Sequence, residues 1–394
     1  MVSFSQTILL ELLRASLFGD EPSYPEPINW EEVLSEAKAQ TVLGLISPVI
    51  PIHDVGVEQS KATYIRVMYE QDRVVRILDS AGIPCVIIKG SSASVYYPMP
   101  FLRTMGDVDV LVQRHRFEEA SSLLSENGYQ CIPCDEENGQ LSDESRHKGY
   151  LMNGVEIELH HHFNSPGFDV DSIIEAAIER REYRILNGYT FPVLPDIENG
   201  LVLLGHIYQH LRNNTLGLRQ IIDWEMFFHS VDNTVIQTEN FTSIADRAGL
   251  LKIAICVTLM CNQYLGLSKT FPLCDGVDKD LPSELIEVVL ANGNFGRRED
   301  LTDLSDVRHF RRAAYSIKKN GFFNYFTSVG VSTWKYGKNR KGLIPLAFLY
   351  GLFRQLGIGV KSLFMNRGVG NQICEGKKRF ELYKKLDIKF DNDK

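Results

Sequence analysis

From Met105 to Val112 the chain reads Met-Gly-Asp-Val-Asp-Val-Leu-Val, and alternation of this kind suits a strand half-buried in a sheet. On such a strand Val108, Val110 and Val112 enter a core, while Asp107 and Asp109 stand together on the other face. Two carboxylates held that close repel each other unless a cation sits between them. The pair is therefore either a solvated strand face or part of a site for a hard divalent ion, which takes carboxylates together with substrate phosphate oxygens. A second pattern, Val155-Glu-Ile-Glu-Leu-His-His161, repeats the arrangement. There Glu156, Glu158 and His160 share one face, and Val155, Ile157 and Leu159 the other. Asn153-Gly154 is a strong hairpin signal that joins this strand to His147–Met152. Asn187-Gly188 predicts another hairpin, between Tyr183–Leu186 and Tyr189–Leu194.

Around these strands the pattern is helical. Ser3–Ser16 and Val57–Ala81 read as helices, and Asn29, with Glu32 at the capping-box position, starts one between them. Pro84–Ile88 is a short buried strand, Gly90–Tyr97 a short helix stopped by Pro98 and Pro100, Phe117–Asn127 a helix and Tyr129–Ile132 a strand, followed by a polar loop over Asp135–Ser145. Asp196 is placed to cap a helix running to about Leu211. Helices over Leu218–Phe228, Phe241–Ala248, Leu251–Tyr264 and Ser283–Ala291 follow, and the region after Arg311 is helical with glycine and proline interruptions. The fold class expected is α/β (α+β), a small mixed-sheet core with N-terminal and C-terminal helical additions. Its parts are an N-terminal helical segment over 1–82, the core over 83–195, a helical domain over 196–310 and a basic helical region over 311–394.

Composition excludes several classes. With 44% hydrophobic and 23% charged residues the 394-residue chain is not disordered, and a net charge of -8 excludes a basic nucleic-acid binder as a whole. That average hides an asymmetry. Residues 311–394 carry 18 Lys+Arg against 5 Asp+Glu, net +13, leaving net -21 in the first 310 residues. The basic region either packs on the acidic body or offers a surface to an anionic acceptor or a membrane. Seven scattered cysteines, with one CxxC pair at Cys131 and Cys134, make neither a disulfide framework nor a zinc ribbon. The N-terminus reads as an amphipathic helix and not a signal peptide, so a reducing cytoplasm is expected. The longest uncharged apolar-rich run, Ile253–Ser268, is too short to span a bilayer.

Lys89-Gly-Ser-Ser92 follows a buried strand and opens a short helix. Free backbone N–H groups at a helix start bind phosphate, and the Ser91 hydroxyl and Lys89 ammonium add contacts. Taken in order, a strand with a Gly-Ser turn, then a strand with Asp-x-Asp, then a later strand carboxylate resembles the polymerase β-like nucleotidyltransferase superfamily. Ile-Ile-Lys-Gly-Ser (87–91), Leu-Arg-Thr-Met-Gly-Asp-Val-Asp-Val-Leu-Val (102–112) and Ile-Glu-Leu-His (157–160) are similar to bacterial nucleotidyltransferase-family proteins whose substrates are mostly unassigned. His206-x3-His210 and Leu218–Asp223 resemble the helices that follow the core there.

The resemblance implies catalytic, metal-binding roles for Asp107, Asp109 and Glu158, with Mg²⁺ or Mn²⁺ as cofactor. It implies nucleotide binding by Lys89, Gly90, Ser91, Ser92 and Arg103. The reaction implied moves a nucleoside monophosphate from an NTP, with ATP the expected donor, to a hydroxyl-bearing acceptor: a sugar, a metabolite, a peptide or RNA. Fifteen residues lie between Ser91 and Asp107, more than the family's usual spacing, which leaves open which of Ser91 and Ser92 serves. Glu156, His160, His206, His210 and Asp223 are candidates for substrate contact or base. Asp223 either reaches the cleft or pairs with a neighbour, and Arg103 either clamps phosphate or is a strand-end residue. The alternative function is a non-catalytic or membrane-peripheral binding protein that keeps the fold.

A separate zinc site does not follow from the histidines. Alternation turns His161 away from His160, and no HExxH glutamate lies between His206 and His210. No GxSxG, Walker A or GxGxxG motif occurs.

Overall fold

The computed structural model describes residues 2–52, 56–132, 147–162, 170–236, 239–271, 278–294, 322–333, 343–364 and 378–388. The expected loop over Asp135–Ser145, Cys134 of the CxxC pair and the stretches 311–321, 334–342, 365–377 and 389–394 of the basic region lie outside them. The chain divides into two compact units, one of residues 1–295 with 382–394, the other of residues 296–381.

The first unit opens with α1 (Phe4–Phe18), α2 (Trp30–Ala39), the single turn α3 (Leu43–Ile46) and the long α4 (Gly56–Ser80). Ser3 and Gln6 form the capping box of α1, and the Asn29 side chain accepts from the Glu32 N–H at the start of α2. Then come β1 (Cys85–Ile88), α5 (Gly90–Ser94), β2 (Asp107–Val112), α6 (Phe117–Glu126), β3 (Gln130–Cys131), β4 (His147–Met152) and β5 (Val155–His160). They are followed by α7 (Asp171–Ala177), β6 (Glu182–Leu186) and β7 (Tyr189–Val193). The strands form one mixed sheet in the order β3-β4-β5-β2-β1-β7-β6. β2 runs parallel to β5 and antiparallel to β1, and β4–β5 is an antiparallel hairpin. Both expected turns form: Asn153 and Gly154 take φ +51° and +75°, Asn187 and Gly188 φ +49° and +85°, the left-handed pair that a two-residue hairpin of matching twist requires.

The two faces of the sheet have separate partners. Ile87, Val108, Val110, Val112, Ile157 and Leu159 pack with Val67, Val74 and Leu78 of α4 and Phe117, Ala120 and Leu124 of α6. The opposite face, where Val86, Ile88 and Leu111 point, meets a helical core. That core comes from the N-terminal helices with α8 (Asp196–Arg212), α9 (Leu218–Ser230), α11 (Glu239–Arg247), α12 (Leu251–Tyr264) and α13 (Leu281–Asn292), the single turn α10 (Asn233–Ile236) lying between α9 and α11 in the chain. Period two along β2 thus sends the valines into one core and aims Asp107 and Asp109 at the helical side.

α8 and α9 approach closely because residue 200 is glycine. A Cβ there would stand 2.8 Å from the Phe227 ring. Asp196 corrects the expected cap: the N-cap is Pro195, and Asp196 is the first helical residue. Its carboxylate accepts from the Tyr96 hydroxyl and Arg184, at 3.1 Å each, and lies where the helix dipole favours an acid. Residues 382–388 also pack here: Leu382, Tyr383, Leu386 and Ile388 join the helical core, and Lys385 pairs with Glu284 (2.7 Å) and Asp278 (3.1 Å).

In the second unit α14 (Phe322–Thr333) packs on α15 (Ile344–Phe364). Gly330 lies against the Ala347 carbonyl, leaving no room for a Cβ, so the two backbones touch. Phe326 packs beside Phe348. No helix among the described residues is long and apolar enough to cross a membrane.

Candidate active site

Between the helical side of the sheet and α8–α9 lies a cleft of about 270 Å³. The sheet wall presents Lys89 and Gly90 from the end of β1, Asp107 and Asp109 from β2, His147 from β4, and Glu158 and His160 from β5. The facing wall presents His206, Gln209, His210 and Asn213 from α8 and its end, Thr215 from the loop, and Arg219 from α9, with Arg103 from the approach to β2. Strand register brings the acids together: Asp107 is paired with Glu156 and Asp109 with Glu158 across β2–β5, while His147 is opposite His160 across β4–β5.

Lys89 closes β1 in a backbone conformation that L residues rarely adopt, φ +55° and ψ -134°. There its ammonium reaches Asp109 Oδ1 at 2.6 Å. The same oxygen lies 2.8 Å from His160 Nε2, which is 3.2 Å from Glu158 Oε2. His147 Nε2 is 3.7 Å from the other oxygen of Glu158. Among the described residues, the metal-competent set whose ligand atoms all lie within 4.8 Å of one another is His147, Glu158 and His160.

The charges sort the carboxylates. Burial, then repulsion from Asp109 and Glu158, pushes Asp107 up to about 6. Burial alone would raise Asp109 too, but the Lys89 ammonium and the His160 hydrogen bond hold it well below the usual carboxylate range. On the facing wall burial lowers His206 far below an ordinary imidazole and His210 to about 4, with neighbouring cations adding to the effect. Both rings are therefore neutral at pH 7, and their Nε2 atoms share one hydrogen bond at 2.8 Å. His210 Nδ1 is 2.8 Å from the Thr215 hydroxyl.

Not every expected residue faces the cleft. Ser91 and Ser92 are buried with their hydroxyls turned away, Ser91 to Gln71 and Ser92 to the Lys89 carbonyl at 2.8 Å. Glu156 is exposed near the start of β5 and stands outside the lining. Asp223 lies behind the cleft: Arg103 grips both of its oxygens at 2.6 Å, and Tyr97 donates to it at 2.7 Å. The Arg103 guanidinium is thus committed to Asp223, although the residue borders the cleft. His161 turns to the other face, against the Phe117 ring.

Sequence reasoning missed His147, Gln209, Asn213, Thr215 and Arg219. His147 could have been found by counting back from the Asn153-Gly154 turn, since a two-residue hairpin fixes which residues are opposite. Arg219 stands four residues before Asp223 on one helix, so both belong to one face.

The donor set fits a hard divalent ion. Three carboxylates share one cleft, and their mutual repulsion is what such an ion relieves.

A family model described as an uncharacterised nucleotidyltransferase matches residues 26–266, more than half of the chain. Among solved structures, an antigenic nucleotidyltransferase-like protein from Paracoccidioides brasiliensis is similar at 14% identity and a TM-score of 0.33, over 52% of this chain and 94% of that one. No curated protein matches.

Proposed function

Because the chain belongs to the uncharacterised nucleotidyltransferase family, which implies a nucleotide substrate, we propose that it transfers a nucleoside monophosphate from an NTP, ATP first among them, to a hydroxyl-bearing acceptor with Mg²⁺ or Mn²⁺ as cofactor. The observation that carries this reading is the convergence of Asp107, Asp109 and Glu158 on one cleft wall that also presents Lys89. Bound at these carboxylates, a divalent ion would supply charge neutralisation for the triphosphate and for the departing pyrophosphate.

The chain's own residues do the rest. Lys89 and Arg219 bring positive charge to the triphosphate, the backbone at Gly90 lets phosphate approach, and Ser91 and Ser92 brace that turn from behind. The acceptor oxygen forms a bond to the α-phosphorus as the bond to pyrophosphate breaks. Its proton passes to the carboxylate cluster. The neutral His206–His210 pair, bonded ring to ring, adds a polar, uncharged surface to the opposite wall, where the acceptor would lie.

The test is incubation with each labelled NTP, Mg²⁺ or Mn²⁺ and panels of sugars, metabolites, peptides and RNA. Metal-dependent pyrophosphate release with a labelled acceptor is expected. Absence of both nucleotide binding and turnover with all four NTPs would overturn the reading.

We also infer a peripheral contact with anionic lipid through the second unit. Phe322, Phe323, Leu346, Leu349 and Phe353 are exposed on α14 and α15. Between Phe322 and Phe364 the sequence has six basic residues and no acidic one. Exposed apolar side chains on a stretch of basic sequence suit a bilayer of negative surface charge. Flotation with phosphatidylserine vesicles is expected at low salt and lost at high salt. A protein that stays unbound at both would refute the contact.

A further inference from the structure

The closest-packed ligand atoms in the cleft are not all oxygens. Two imidazole nitrogens and carboxylate oxygens crowd together at the hairpin side of the sheet wall. His160 Nε2 is 2.8 Å from Asp109 Oδ1 and 3.2 Å from Glu158 Oε2, and His147 Nε2 is 3.7 Å from Glu158 Oε1. In a tetrahedral site with ligands roughly 2.0–2.1 Å from the ion, neighbouring ligand atoms stand about 3.3 Å apart, so the observed spacings bracket that geometry. The ligand atoms of His147, Glu158 and His160 all lie within 4.8 Å of one another, so side-chain adjustment around an arriving ion would close the site.

We propose that His147, Glu158 and His160, with Asp109 alongside, bind a borderline transition-metal ion of the Zn²⁺ and Co²⁺ class in preference to Mg²⁺. Mg²⁺ asks for oxygen ligands and keeps much of its water, whereas imidazole nitrogen suits the later divalent metals. The elements are built to hold this set. The Asn153-Gly154 turn puts His147 opposite His160 on adjacent strands, and the side chains of residues 158 and 160 point to one face because they are two apart on β5. His160 is buried, and His147 is 43% exposed, giving the ion a route in from solvent. Lys89 holds the other end of the cluster through Asp109, so an arriving ion competes there with an ammonium.

This inference rests on the nucleotidyltransferase reading for the cleft and adds to it a nitrogen-ligated ion beside the carboxylates that would hold Mg²⁺ or Mn²⁺, but its test reads binding alone. The metal-free 394-residue chain is titrated with Co²⁺, and the visible absorption of four-coordinate cobalt is followed. One equivalent is expected to bind, to be displaced by stoichiometric Zn²⁺, and to resist an excess of Mg²⁺ of about a hundredfold, given the ligand preference. His147→Ala is expected to weaken Co²⁺ by tenfold or more, about the scale seen even for outer-shell changes. Its fold is checked by circular dichroism, and His147→Gln serves as the second variant. Asp107→Asn should leave the cobalt spectrum in place, because Asp107 is outside the set. Cobalt binding that survives both His147 variants, or that Mg²⁺ displaces at equal concentration, would overturn the proposal. Loss of cobalt binding in Asp107→Asn with His147→Ala unaffected would do the same and would leave a carboxylate-only site. A protein without nucleotide turnover that still binds cobalt through His147 would fail the functional reading and keep this one.

Discussion

Asp107→Asn is expected to abolish metal-dependent nucleotide transfer and, at pH 8, to raise the melting temperature of the metal-free protein. The loss of activity follows from removing one of the three carboxylates that face the cleft and would hold the ion. The gain in stability follows from linkage. The folded protein raises Asp107 from 3.8 to about 6, so the folded state holds its proton more tightly than the unfolded chain. Below about pH 4 both states are protonated and the group contributes nothing. As pH rises through the window to about 6 the native protein loses stability, by at most on the order of 3 kcal/mol above it. Asparagine removes that loss, so the variant's advantage should grow from nothing at pH 4 to a plateau above pH 6, and a saturating divalent ion should narrow it. Scanning fluorimetry across this range is the measurement. A variant less stable than the parent at pH 8 would make Asp107 structural.

Asp109→Asn should have the opposite sign. Repulsion between like charges would by itself make removal of a carboxylate neutral or mildly stabilising, but Asp109 has cationic partners. Its carboxylate is the partner of the mostly buried Lys89 ammonium and of His160. Asparagine would leave that ammonium without its nearest counter-charge.

The second large effect is expected away from the reacting atoms. Asp223→Ala should destabilise the protein by about 3–5 kcal/mol, the usual result of leaving one member of a buried ion pair behind. Arg103 and Asp223 side chains are only 3% and 2% exposed, and the two bonds between them are both 2.6 Å. Tyr97 would lose its acceptor as well. Arg103→Leu with Asp223→Leu should recover part of the loss, because no charge then remains unpaired. Urea unfolding at pH 7 gives the comparison. A single variant that loses less than about 1 kcal/mol would mean that water reaches the pair and that it behaves like a surface bridge.

Much of the sheet wall is legible in the sequence, because its geometry is local. Strict alternation places Asp107 and Asp109 on one face of β2, and the same rule joins Glu158 to His160 on β5. Both Asn-Gly turns announce their hairpins, and the long helices follow from their apolar spacing. The single-turn α3 and the two-turn α7 escape because so few residues carry no periodic signal. The facing wall is not legible, for a different reason. Arg219, Thr215 and Asn213 meet the acids only because α8 and α9 fold back over the sheet, and the partner of Asp223 lies 120 residues away. Sequence leaves two choices for Asp223, and only the packing decides between them. The serines of Lys89-Gly-Ser-Ser92 show the same limit: pattern places them at the turn but does not say that their hydroxyls bond back into the protein.

The β4–β5 hairpin carries a consequence for how this chemistry can change. His147 and His160 are opposite each other because the tight turn between Met152 and Val155 aligns the strands from that end, pair by pair. The turn lies about 20 Å from His147 along the strand and touches no ligand. Yet one residue inserted into it would offset the pairing by one and send the His147 side chain to the far face, into the layer occupied by α4 and α6. The turn is a ruler for the cleft. A lineage that lengthened it could discard a nitrogen ligand in a single step while keeping every carboxylate, and a designer could use the same step to exchange one ion preference for another without editing the cleft at all.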